Sequence, residues 1–273
     1  MNYDNDEIIL KKLDNIYVLQ FKELLKYKDK IEHFYTLKHG GNSQKDYLGL
    51  NLGYYTNDDK EIVKQNYIDV CNKFNIDYKR LFVPKQIHSD KSIYVDEESS
   101  GTLIKENFIE CDGGFTNISK IPLVSNSADC ITILIYEKKS NYISSIHSGW
   151  KGVTNNIVNK TINKMVQEHG CKKENMIVCI GPSICTNCFE VKQDVYNIFY
   201  NLFNKYKDVF LKNDNDIYNI DLVKILYNLL IDNEIPKENI HISNICNKCN
   251  IEDFYSYRNN KITGRMGNFI MLR

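Results

Sequence analysis

The sequence predicts an α+β fold. Four segments repeat apolar residues at helical spacing, a larger set of short β-branched and aromatic runs reads as strands, and the two kinds mix without strict alternation. Residues 15–21 and 31–37 are strand-like, rich in Val, Ile, Tyr and Phe. Residues 59–74 put Val63, Tyr67, Val70 and Phe74 on one helical face, with Asp58 and Glu61 placed as a capping box. A strand is expected at 81–86, followed by a loop-like excursion from Asp96 to Glu110. Strands at 121–125, 131–136 and 142–146 come next, the last two joined as a hairpin by the polar stretch Glu137 to Asn141. A helix over 154–169 carries Ile157, Val158, Ile162, Met165 and Val166, with Gly170 as its stop. Residues 176–180 form another strand. Helices follow over 191–206, with Val195, Ile198, Phe199, Leu202 and Phe203, and over 221–233, ending before Pro236. Strands at 240–245 and 268–272 close the chain.

With 273 residues and 42% hydrophobic content, the chain can bury a large core. No repeat or Pro/Gly/Ser-rich linker divides it, so one domain over 1–273 is expected. Lys plus Arg and Asp plus Glu both number 35, which gives no basic surplus for a nucleic acid. The acidic N-terminus has no apolar signal core, and no run approaches the roughly 18 apolar residues of a membrane span. Nine cysteines spread over a long chain fit a reducing cytoplasm rather than a disulfide framework. A small-molecule substrate is the expected partner.

Three segments carry the chemistry: Lys85-Gln86-Ile87-His88, Ala128-Asp129-Cys130 and His147-Ser148-Gly149-Trp150. A turn centred on Lys138-Lys139 would set Cys130 directly opposite His147, with Cβ atoms about 4.5–5.5 Å apart. His88 must then arrive from another strand. His88, Cys130 and His147 make a three-ligand zinc site whose fourth position is open to water or substrate. Copper is disfavoured. The chain has six His, and His33, His39, His169 and His241 sit in unrelated contexts, too few imidazoles for a laccase's additional copper cluster.

Further motifs run in order along nearly the whole chain. They are Lys38-His39-Gly40-Gly41-Asn42-Ser43, Leu50-Asn51-Leu52-Gly53, Asn57-Asp58, Gln86-Ile87-His88-Ser89 and Asp112-Gly113-Gly114-Phe115-Thr116. After the Cys130 and His147 segments come Ile180-Gly181-Pro182-Ser183-Ile184, Phe189-Glu190-Val191, Phe254-Tyr255-Ser256-Tyr257-Arg258 and Thr263-Gly264-Arg265-Met266. In these the chain resembles the YfiH-type family, the laccase-domain or "polyphenol oxidase" proteins associated with purine nucleoside phosphorylase and adenosine deaminase activities. The resemblance implies a single-domain layered sandwich of mixed β-sheets flanked by helices. It also implies phosphorolysis of adenosine, inosine or guanosine, with methylthioadenosine a further candidate, and deamination of adenosine. The family usually has Arg at the positions of Lys38 and Lys151, Ala at Ser148 and Gly at Asn57. Lysine keeps the charge but loses the planar fork that suits phosphate.

Zinc can lower the pKa of bound water to about 7 for attack on adenine, or position a purine nucleoside while phosphate displaces the base. The cations in matched motifs are Lys38, Lys151, Arg258 and Arg265, each equally readable as a solvated surface charge. The Gly40 and Gly41 amides and Asn51 complete the candidate substrate contacts. Asp112, Asp129 and Glu190 are the candidate proton carriers, and Gln86 a candidate contact to substrate or water. Asp112 also reads as a turn cap, and Asp129 as a group that orients a ligand. Three alternatives remain: editing of peptidoglycan precursors, a function linked to some bacterial relatives, a hydrolase with Cys130 as nucleophile and His147 as base, and a non-catalytic metal scaffold. Cys185-Thr186-Asn187-Cys188 and Cys246-Asn247-Lys248-Cys249 have the form of four-thiolate zinc knuckles. Their wide separation favours free thiols instead.

Overall fold

In this computed structural model, residues 3–212 and 217–273 are described. The strand-forming runs assemble into three sheets. An antiparallel five-stranded sheet has the order Ile8–Leu13, Ile16–Phe21, Ile31–Thr36, Met266–Leu272, Leu123–Ser127. A mixed six-stranded sheet runs Ile240–Ile242, Met176–Ile180, Ile131–Glu137, Tyr142–Ser148, Gly113–Thr116, Ser92–Tyr94, parallel at its two edge pairs and antiparallel between them. Glu190–Val191, Tyr218–Ile220 and Phe210–Lys212 form a small antiparallel third sheet.

The period-two alternation of strand side chains separates the cores. Ile131, Ile133 and Ile135 enter a core shared with the helices Ile157–His169, Gln193–Phe203 and Leu222–Asp232. Leu134 and Tyr136, from the other face of the same strand, meet Tyr35 and Ile270 of the five-stranded sheet. Between the sheets, Ser145 Oγ donates to Ser125 Oγ at 2.8 Å. Phe269 and Met271 turn outward to Val63, Tyr67 and Val70 of the helix Lys60–Lys73. Two facing sheets flanked by helices give the expected layered α+β architecture. Among the described residues, no helix is long and apolar enough to cross a membrane.

Several local expectations are corrected. Residues 81–86 form isolated bridges, Phe82 to Leu123 and Lys85 to Glu110, rather than a strand. Pro84 has no N–H to contribute to a ladder. The helix expected over 154–169 begins at Ile157, just after Asn156 takes a left-handed φ of 56°, and a separate short helix, Trp150–Thr154, precedes it. The cap of the Lys60–Lys73 helix is Asp59, which accepts from Glu61 N at 2.8 Å, while Asp58 accepts from Asn51 Nδ2 at 2.9 Å. On the Gln193–Phe203 helix, Phe199 and Phe203 are buried, but Ile198 and Leu202 are 42% and 51% exposed. The two CxxC turns also meet, through a parallel bridge between Ser183 and Cys246.

Candidate metal centre and its cavity

A buried carboxylate shapes the hairpin that leads to two of the candidate ligands. Glu137 Oε2 accepts from Lys139 N (3.1 Å) and Ser140 N (2.5 Å), and Asn141 closes the turn at φ 54°. Glu137 therefore pairs with Tyr142, and Thr132 rather than Cys130 lies opposite His147. The expected register is off by two positions. A two-residue slip leaves every side chain on its original face, so Cys130 and His147 still come together.

His88, Cys130 and His147 bring their ligand atoms within 4.8 Å of one another. His88 Nε2 lies 3.9 Å from Cys130 Sγ, and the two imidazole rings stand at 90° with centroids 4.9 Å apart. Zinc bonds of about 2.0–2.3 Å place tetrahedral sulfur and nitrogen ligands about 3.6 Å apart, so a small closure brings these donors to an ion. His147 is buried and His88 exposed, which leaves the cluster accessible from one side.

Asp112 holds the arrangement. Its fully buried carboxylate accepts from His147 Nδ1 (2.9 Å), His88 N (3.0 Å), Ser89 N (2.6 Å) and Ser89 Oγ (2.7 Å). With Nδ1–H donated to Asp112, His147 Nε2 is left to ligate. The same carboxylate fixes His88, whose backbone has a left-handed φ of 58°. Gly149 matters for a different reason. A Cβ there would lie 2.8 Å from His88 Cδ2 and 3.2 Å from Cys130 Sγ.

Burial opposes charge on the Cys130 thiol, but His147 and His88 outweigh it and bring the thiol down to about 6. Burial likewise opposes charge on His147, yet Cys130 and Asp112 raise it to about 9. Burial alone would raise Asp112. Hydrogen bonds from His147 and Ser89 lower it instead. Without a metal, these opposed shifts favour a thiolate at Cys130 beside a protonated His147.

The cluster opens into a cavity of about 420 Å³. Tyr54, Tyr55 and Tyr257 give it aromatic walls, and Gln86, Asn126 and Arg265 add polar groups. Both ends of the Gln86 amide bond to Asn126: Nε2 donates to Asn126 O (2.9 Å) and Oε1 accepts from Asn126 N (2.7 Å). Asn51 is buried behind the wall, where its Oδ1 accepts from Gly53 N (2.8 Å) and Arg265 N (2.9 Å). Arg265 Nη1 donates to the carbonyls of Thr263 (2.8 Å) and Gly264 (2.9 Å).

Other candidates lie away from the lining. Lys38 Nζ donates to the Ile251 carbonyl. Gly40 and Gly41 have φ of 84° and 71°, and a Cβ at Gly40 would lie 2.8 Å from Asn15 O, so this turn accommodates a close chain crossing. Lys151 lies over the Trp150 ring at 5.7 Å. Arg258 Nη1 donates to the carbonyls of Cys188 (3.3 Å) and Glu190 (2.9 Å), and the Glu190 side chain is exposed. Asp129 Oδ2 accepts from Ser256 Oγ (3.0 Å) and Arg258 N (2.6 Å), while its buried Oδ1 has no partner among the described residues. The aromatic walls were not singled out from the sequence, although Tyr54-Tyr55 directly follows one recurring motif and Tyr257 lies within another.

The family model described as "Multi-copper polyphenol oxidoreductase laccase" matches residues 32–273. The chain belongs to this family. The laccase-family chain is 29% identical over 260 residues to a purine nucleoside phosphorylase of Bacteroides thetaiotaomicron, covering 93% of this chain and 96% of that one. It is 27% identical over 232 residues to adenosine deaminase RL5 of an unknown prokaryotic organism, covering 84% and 88%. Its fold matches the crystal structure of the hypothetical protein YfiH of Bacillus licheniformis, with TM-score 0.90, 24% identity and coverage of 97% and 99%. In this laccase-family chain the remaining histidines stand apart from the cluster. His33 Nε2 accepts from Phe21 N, His39 pairs with Asp253, His169 stacks on Tyr94 and His241 pairs with Glu7.

Proposed function

We propose that the chain, acting as one catalytic unit over 1–273, is a zinc-dependent purine nucleoside phosphorylase with adenosine deaminase activity. The observation that carries this reading is the His88–Cys130–His147 cluster at the base of a tyrosine-walled cavity. The names of the relatives support it. Two imidazoles and a thiolate with one side accessible suit zinc, and the dispersal of the other histidines disfavours a multi-copper centre. When bound, zinc would supply Lewis-acid activation of water or of the purine.

The chain's own residues supply the rest. Tyr54, Tyr55 and Tyr257 supply aromatic surface along the cavity for a purine. Arg265, pinned by the Thr263 and Gly264 carbonyls, presents its remaining N–H groups to phosphate. Asp112 positions both histidines, and Gln86 positions Asn126 in the wall. Asp129, its carboxyl pushed up by burial despite the opposing hydrogen bond from Arg258 N, is the candidate to hold a proton near Cys130. Lys38, Gly40, Gly41, Lys151, Arg258 and Glu190 lie outside the cavity lining and carry no step of this reading.

Zinc-loaded protein is expected to release hypoxanthine from inosine only when phosphate is present, and ammonia from adenosine without it. No turnover of either nucleoside would overturn the reading. The lowered Cys130 thiol beside His147 favours one second reading, a cysteine hydrolase. Activity that survives complete metal removal would select it.

A further inference from the structure

Cys185, Cys188, Cys246 and Cys249 place their sulfur atoms within 4.8 Å of one another. The Sγ separations include 3.5 Å between Cys188 and Cys249 and 4.0 Å between Cys185 and Cys249. Four thiolates about 2.3 Å from a tetrahedral zinc lie about 3.8 Å apart, whereas a disulfide requires about 2.05 Å. We propose that these four cysteines form a second, closed zinc site, structural in character and separate from the cavity cluster.

The fold supplies the convergence that the long sequence separation argues against. Cys185 precedes and Cys188 ends the 3₁₀ turn Thr186–Cys188, which follows the Met176–Ile180 strand. Cys246 and Cys249 lie beyond the Ile240–Ile242 strand, its parallel neighbour. Two adjacent parallel strands therefore deliver both CxxC turns to the same end of the sheet, and the Ser183–Cys246 bridge fixes their register. Cys185 N donates to Cys246 Sγ at 3.3 Å, the main-chain bond that steadies a thiolate ligand. Two members are half-buried, one is buried and one is exposed, so the cluster sits at the surface where an ion can enter. Four sulfur ligands complete a tetrahedron and leave no position for substrate, which makes this site a staple.

The staple connects to the cavity cluster. Arg258 Nη1 donates to Cys188 O, its backbone N–H donates to Asp129 Oδ2, and Asp129 precedes Cys130. Ile184 N, next to Cys185, donates to Asp129 O at 2.9 Å. Fixing the knuckle therefore fixes the loop that presents Cys130.

The test is zinc content of the reduced, untagged full chain, with cobalt substitution as an independent readout. The native protein is expected to hold one more equivalent of zinc than the paired substitution Cys188→Ser with Cys249→Ser. Cys130→Ser is expected to retain the knuckle ion. The cobalt form should show the intense near-ultraviolet sulfur-to-metal band of a four-thiolate site, reduced in the paired variant to the weaker contribution of the single Cys130 thiolate and kept in Cys130→Ser. Should the paired variant fold poorly, Cys249→Ser alone, at the exposed ligand, is expected to weaken that band. Equal zinc in the native and paired-variant proteins, a cobalt spectrum that disappears with Cys130→Ser, or disulfides at these positions would overturn the proposal.

Discussion

Asp112→Asn keeps the volume of the buried side chain and removes the charge that faces His147 Nδ1 and the His88 amide. Loss of a carboxylate behind a metal-ligating histidine typically weakens metal binding 10–100-fold. Chelator competition should show a loss of about that size, with an unchanged circular dichroism spectrum. Gly149→Ala tests sterics alone, because the backbone at φ −67° accepts alanine readily. Its Cβ would press on His88 and Cys130, so metal stoichiometry is expected to fall while the fold persists. The metal-free protein also has a pH signature. Cys130 is shifted down from 9.0 to about 6, so the reactive thiolate persists as pH falls and is lost below about 6. Iodoacetamide labelling of Cys130 should therefore rise with pH through about 6, and zinc should suppress it. A midpoint near 9 would contradict the thiolate–imidazolium pair. The three candidate ligands were legible as residue types beside strand-like runs, and the structure brings them together. The partners of Asp112 were not, because one acceptor serving segments 24 and 35 positions away leaves no local pattern.

Elements follow the same division between local and distant causes. The Lys60–Lys73 helix was readable from its apolar spacing, and its cap lay one residue from the expected position because Asp58 is taken by Asn51. Asp59→Ala is expected to cost about 1 kcal/mol. That corresponds to a drop in melting temperature of about 2–4 °C for a domain of this general size. The hairpin pairing was readable too, but its register depended on Glu137, a charged residue that folds back on its own turn. The Ile8–Leu13 strand escaped notice because Lys11 and Lys12 interrupt its apolar character on an exposed edge. Ser92–Tyr94 and Gly113–Thr116 are too short, or too rich in glycine, to announce themselves as strands.

At the scale of the whole molecule, mixed helices and strands gave the fold class, but the layering depends on which face of each strand meets which neighbour. The Met266–Leu272 strand illustrates this. It is fully buried and lies between Ile31–Thr36 and Leu123–Ser127, contributing to two cores at once. Removing residues 266–273 should abolish cooperative unfolding, as read by calorimetry, because no other strand closes that gap. A truncated chain that still melts in one sharp transition would refute this.

The position of that strand also has a consequence for biosynthesis. A ribosome makes Met266–Leu272 after every other strand of the two large sheets, and Tyr257 and Arg265 of the cavity wall emerge just before it. A nascent polypeptide can already expose His88, Cys130 and His147 while it lacks the seam that shuts the sandwich. Prematurely terminated products would thus carry this His–Cys–His trio without the closed sandwich around it.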